Sequence, residues 1–98
     1  MTRDAVIATL RANEAALRRL GVMHAALFGS VARGQAGPDS DIDIMVDIEP
    51  TAPVGVFEYV GIIRFIESLF PGKVEVADRQ TLISRVRRTA ERDAIHAF

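Results

Sequence analysis

Apolar positions mark out the elements before any chemistry is considered. Over residues 2–20, Val6, Ile7, Leu10, Leu17 and Leu20 recur at helical spacing, while Arg3, Arg11, Glu14 and Arg18 mostly fall elsewhere. This predicts one helix, stopped by Gly21, with Arg11, Arg18 and Arg19 as a solvated face. Val22–Phe28 is an apolar run too short for another helix and predicts a strand; His24 within it reads as a packing or surface residue. A short helix is expected from Gly29-Ser30 to about residue 35, capped by Ser30, followed by turn residues Ala36, Gly37, Pro38, Asp39 and Ser40. Residues 41–48 alternate, so Ile42, Ile44, Val46 and Ile48 turn into a core and Asp41 and Asp43 share the other face. Pro50 and Pro53 end that strand.

Residues 55–70 predict a helix with Val56, Tyr59, Val60, Ile63, Ile66 and Phe70 as the buried stripe, closed by Pro71-Gly72. Residues 73–77 form a third strand, with Val74 and Val76 on one face and Glu75 on the other. Residues 81–94 predict a last helix capped by Asp78, with Leu82, Ile83, Val86 and Ala90 apolar and Arg85, Arg87, Arg88 and Arg92 solvated. Ile95, Ala97 and Phe98 close the chain, Phe98 packing on the sheet or on a partner. The order is α-β-α-β-α-β-α, an α/β arrangement with helices on a small mixed sheet, and motifs where strands end.

Composition narrows the picture without changing it. Ninety-eight residues suit one domain, spanning 1–98. A hydrophobic share of 49% and a charged share of 26% are those of an ordinary globular protein. With net charge −1, nothing draws the whole molecule to nucleic acid or an anionic membrane, so no direct DNA binding is expected. Cysteine is absent, which suits a reducing cytoplasm and removes thiolate metal sites. No apolar run approaches the roughly 20 residues needed to span a bilayer.

Candidate chemistry is concentrated over residues 28–47. Asp41 and Asp43 repel each other unless a cation sits between them, and oxygen ligands suit Mg²⁺. A plain amphipathic edge strand would show the same aspartates to water; the turn before it is what changes the reading. Gly29 lets backbone approach a ligand, and the helix start at Ser30 leaves amides free for phosphate oxygens. Arg33 either shapes that site or reaches a phosphate. Between Arg33 and Arg64 there is no Lys or Arg but there are six acids, namely Asp39, Asp41, Asp43, Asp47, Glu49 and Glu58. Acids without side-chain partners favour a bound cation.

Gly29-Ser30, ten residues, then Asp41-Ile42-Asp43 resembles the signature of the nucleotidyltransferase superfamily that includes DNA polymerase beta. The fuller pattern, Phe28 to Gly34 with Ser40-Asp41-Ile42-Asp43-Ile44, is similar to the minimal nucleotidyltransferase antitoxins, and the similarity covers nearly the whole chain. The resemblance implies one or two Mg²⁺ ions on Asp41 and Asp43, and phosphate binding by Gly29, Ser30, Arg33 and Ser40. It implies ATP as donor and AMP as the transferred group. It further implies a tyrosine of a HEPN-domain ribonuclease toxin as acceptor, in a type VII toxin–antitoxin pair. The third strand of that family usually carries an aspartate where Glu75 stands, so Glu75 is the expected third metal ligand and aid to the attacking hydroxyl. Its extra methylene leaves room for an antitoxin that neutralises by binding alone. A small-molecule enzyme of the aminoglycoside type ranks last, since such enzymes usually carry a further domain. Because no base-binding segment is obvious, a partner chain or second copy is expected to finish the nucleotide pocket.

Overall fold

A computed structural model describes residues 1–37 and 40–98. The turn and acidic residue expected at Pro38 and Asp39 lie outside the described residues. The elements are α1 (Arg3–Ala12), α2 (Glu14–Arg19), β1 (Val22–Phe28), α3 (Gly29–Ala32), β2 (Ile42–Ile48), α4 (Val56–Ser68), β3 (Val74–Asp78), α5 (Ser84–Asp93) and β4 (Ile95–His96). The strands form one sheet in the order β3-β2-β1-β4. β1 runs antiparallel to β2 and to β4, whereas β2 and β3 are parallel, with α4 as the crossover between them.

The first helix is two helices. Thr2 caps α1 by accepting from the Ala5 amide at 3.2 Å. At Asn13 the side-chain amide donates to the Thr9 carbonyl at 2.9 Å, an alternative to the helical ladder that ends α1. Val6, Leu10 and Leu17 still reach one core. Arg11, Arg18 and Arg19 are exposed as expected, but two of them also make contacts that the spacing did not show. The Arg11 Nε donates to the Ala97 carbonyl at 2.8 Å, and Arg18 donates to the Met23 carbonyl and lies 5.0 Å from the centre of the Phe98 ring. Both hold down the chain end, where β4 adds a strand that the sequence reading lacked.

The sheet has two covered faces. Ile42, Ile44 and Val46 meet Leu27, Leu10, Leu17, Ile62 and Ile66 in the main core. On the other face, Met45 and Ala26 are covered by Ala90 of α5, with Phe28, Leu82 and Ala94 at the margin. Burial on both sides explains why Ala25, Ala26 and Leu27 are consecutive buried residues.

α4 is rotated from the expected stripe. Ile62, Ile66 and Phe70 are buried, whereas Val56 is 78% exposed and Phe57 87% exposed. The helix carries apolar residues on nearly every side, so spacing did not single out the face that meets the sheet. α5 begins later than expected. Asp78 accepts from the Gln80 amide at 2.9 Å, closing a turn after β3 instead of capping the helix.

Candidate active site

The site forms where β1 ends. Gly29 turns the chain from strand into α3 with φ of 76°, a conformation L side chains rarely adopt. A Cβ there would fall onto the Oδ2 of Asp43, and 3.1 Å from its Cγ. The backbone at Gly29 is therefore packed directly on the Asp43 carboxylate. Ser30 lies inside the first turn instead of capping it; Phe28 is the N-cap residue and no side chain closes the end. The amides at the start of α3 lack intrahelical acceptors by the geometry of any helix start.

The strand register lines up the carboxylates. Asp43 sits opposite Phe28 on β1 and opposite Glu75 on β3. Asp41 immediately precedes β2 and is half-buried, as is Asp43, while Glu75 is exposed. Burial first, then the charges of Glu75 and Asp41, push the Asp43 carboxyl above its ordinary value of 3.8, against a smaller pull from Arg33. Ionised Asp43 is thus held in an unfavourable place that a nearby cation would relieve.

The expectation of unpartnered acids needs correcting. The Lys73 ammonium lies 3.7 Å from Asp41 Oδ2 and 3.7 Å from Glu75 Oε1. Asp47 accepts from Arg79 at 2.6 Å, and Glu58 accepts from the Gly55 amide at 2.8 Å. The sequence carried a signal for Lys73, because residues two apart on a strand share a face and Lys73 precedes Glu75 by two. Arg33 donates to Asp93 Oδ2 at 2.9 Å and to Gln35 Oε1 at 3.0 Å, tying α3 to α5. No spacing rule would have joined residues sixty positions apart. The Ser40 hydroxyl accepts from the Gly37 amide at 2.8 Å and so is engaged in the loop before β2.

Among the described residues, no group of three His, Asp or Glu side chains is gathered tightly enough to hold an ion as it stands. The donors nevertheless fit a hard divalent cation. Asp41 and Asp43 offer oxygens, Gly29 leaves space where a side chain would intrude, and burial together with the charges of Glu75 and Asp41 raises the Asp43 carboxyl. Among the described residues no helix is long and apolar enough to cross a membrane.

Comparisons with known proteins agree with this geometry. The profile of the nucleotidyltransferase domain matches residues 11–96. The protein adenylyltransferase MntA of Thermococcus cleftensis is 30% identical over 97 residues, covering 98% of this chain and 96% of its own. A solved chain assigned as a minimal nucleotidyltransferase superposes with a TM-score of 0.71 at 31% identity, over 97% of this chain and 95% of that one. A tri-AMPylated HEPN toxin of Shewanella oneidensis in complex with MNT antitoxin contains a chain of the same fold. The TM-score there is 0.64 at 15% identity, over 94% of this chain and 71% of that one. With its glycine turn seated on a strand carboxylate, the chain belongs to the nucleotidyltransferase domain family.

Proposed function

We propose that the protein transfers AMP from ATP to a tyrosine hydroxyl of a HEPN-domain toxin and thereby silences it. The observation that carries this reading is the seating of Gly29 against Asp43 with Glu75 in register beside it. Support comes also from the adenylyltransferase relative and from the fold shared with a toxin-bound antitoxin.

In this reading Asp41 and Asp43 would hold Mg²⁺, with Glu75 as the third carboxylate. A bound ion would supply charge to neutralise the triphosphate and polarise the α-phosphorus. The amides at Gly29 and Ser30 hold the terminal phosphates. Arg33, fixed by Asp93, keeps α3 against α5, and Ser40 closes the loop that presents Asp41. Glu75 takes the proton of the attacking hydroxyl as its oxygen bonds to the α-phosphorus. The bond from that phosphorus to the bridging oxygen breaks, and pyrophosphate leaves in line.

The test combines purified protein, ATP, Mg²⁺ and the neighbouring gene's product, read by intact mass. Gain of one or more AMP units, lost in Asp41→Asn with Asp43→Asn, supports the proposal. A tight complex with no mass change leaves neutralisation by binding alone.

Two metal predictions follow from the same cluster. Saturating Mg²⁺ stabilises the protein by about 1–3 kcal/mol through mass action, and the Asp41→Asn, Asp43→Asn double variant folds but loses the response. An undiminished thermal shift in that variant removes the metal site. Lys73→Gln frees Asp41 and Glu75 from the competing ammonium. The Mg²⁺ concentration for a half-maximal shift then falls about two- to five-fold, equivalent to at most about 1 kcal/mol for so exposed a pair. An unchanged midpoint shows that Lys73 does not compete.

A further inference from the structure

The chain has two histidines, and the fold brings both to one cavity. His24 lies on β1 and His96 on β4, antiparallel neighbours at one edge of the sheet. Ala26 pairs with His96, and His24 is two residues before Ala26, so both histidines stand on the same sheet face as diagonal neighbours. Both are exposed. The cavity beside them measures about 360 Å³, and Met45, Asp47, Arg79 and Glu91 form further parts of its wall. Arg79 donates to Asp47 Oδ1 at 2.6 Å and to Glu91 Oε1 at 3.0 Å, so these three groups leave a net negative charge beside the imidazoles.

We propose that His24 and His96 form a two-imidazole site for a late first-row divalent cation such as Zn²⁺, which ties the terminal strand β4 to β1. Imidazole suits Zn²⁺, Ni²⁺ and Cu²⁺, whereas Mg²⁺ takes oxygen. Diagonal neighbours on antiparallel strands lie about 7–8 Å apart, a span that two histidine side chains can close on one ion at about 2 Å from each nitrogen. The net charge of the Asp47–Arg79–Glu91 group favours a cation over an anion. Asp47 stands opposite His24 in register, on the side from which a carboxylate can orient a ligating imidazole. Among the described residues no third His, Asp or Glu is gathered with the pair closely enough to make a three-residue set, so solvent completes the coordination. The site is separate from the carboxylate cluster, because Asp47 follows Asp43 on β2 by four residues, roughly 13 Å along the strand. β4 is two residues long, so its backbone ladder to β1 is short. An ion shared by the two strands adds a link that the ladder does not supply.

The test is a Zn²⁺ titration of the whole untagged protein in excess Mg²⁺, above neutral pH, followed by calorimetry and by NMR of the imidazoles. With two histidines in the chain, each gives its own resonances. Zn²⁺ binds at one ion per chain and moves both sets together. His24→Gln and His96→Gln, at exposed positions, each keep the wild-type melting temperature without zinc and weaken zinc about ten-fold or more. The Ala97 amide, which donates to the Ala25 carbonyl at 2.9 Å beside His96, exchanges more slowly with zinc in wild type and not in either variant. Wild-type protein that binds no zinc, or in which one histidine moves alone, overturns the shared site. So does unchanged affinity in either variant. Zinc binding that survives in the His24→Gln, His96→Gln double variant puts the ion elsewhere and overturns the site as well.

Discussion

Asp43→Asn is expected to abolish AMP transfer to the toxin while making the metal-free protein more stable. The activity loss is about 10³-fold or more, about 4 kcal/mol of transition-state stabilisation, because the variant keeps the shape of the site and loses a charged metal ligand. The stability gain comes from the same charge. The carboxyl of Asp43 is raised by burial and by Glu75 and Asp41, so the folded state prefers the protonated form. Its stabilising contribution is full below the ordinary value of 3.8 and is lost as pH rises through the raised folded value. At neutral pH ionised Asp43 is therefore a net cost, and asparagine removes it. The metal-free variant is therefore expected to melt above wild type at neutral pH. Thermal melts of both proteins without metal, run from pH 3 to 8, check the sign: the variant's advantage grows with pH across that window and then levels off. A variant that melts lower than wild type at neutral pH, or that still transfers AMP at the wild-type rate, contradicts the assignment.

Where one physical rule had one outcome, the sequence was readable. The β1 run at Val22–Phe28 was expected with the bounds it has, because seven residues between two glycines, six of them apolar, leave no space for a helix. Alternation over β2 placed Ile42, Ile44 and Val46 inward and Asp43 outward for the same reason. Where two outcomes had similar cost, the reading failed. α4 is apolar on almost all sides, so its sequence fits several rotations, and contact with the sheet chose Ile62 over Val56 and Val60. Asn13 sits in an otherwise helical pattern, and a single side-chain hydrogen bond decides that the helix breaks there. β4 is two residues long and exists because β1 offers an open edge, a fact about the assembled sheet. The candidate site divides likewise. Its aspartates and glycine turn are local and were visible. The pairing of Arg33 with Asp93 depends on where α5 docks, and no local pattern encodes that.

A second large effect is expected from one methyl group. Gly29→Ala asks an L residue to hold φ of 76° and places its Cβ on the Asp43 carboxylate, so either the turn or the carboxylate must move. The backbone component costs about 1–2 kcal/mol, the usual cost of a left-handed conformation for a residue with a Cβ. The displacement matters more for function. A shift of about 1 Å in a metal ligand or phosphate amide costs about 10²-fold in transfer. Gly34→Ala separates the two contributions. Gly34 has φ of 71°, nearly the same backbone conformation, but a Cβ there meets nothing within 4 Å. It should lose a similar amount of stability and keep transfer near the wild-type rate. Urea melts and intact-mass assays on the pair measure both quantities. If Gly29→Ala transferred AMP as well as Gly34→Ala, the packing of that turn on Asp43 would carry no catalytic weight. If both variants lost transfer equally, loss of fold would explain the effect. The expected split, shared destabilisation with activity lost at Gly29, requires that the close approach of backbone to carboxylate be the feature around which the site is built.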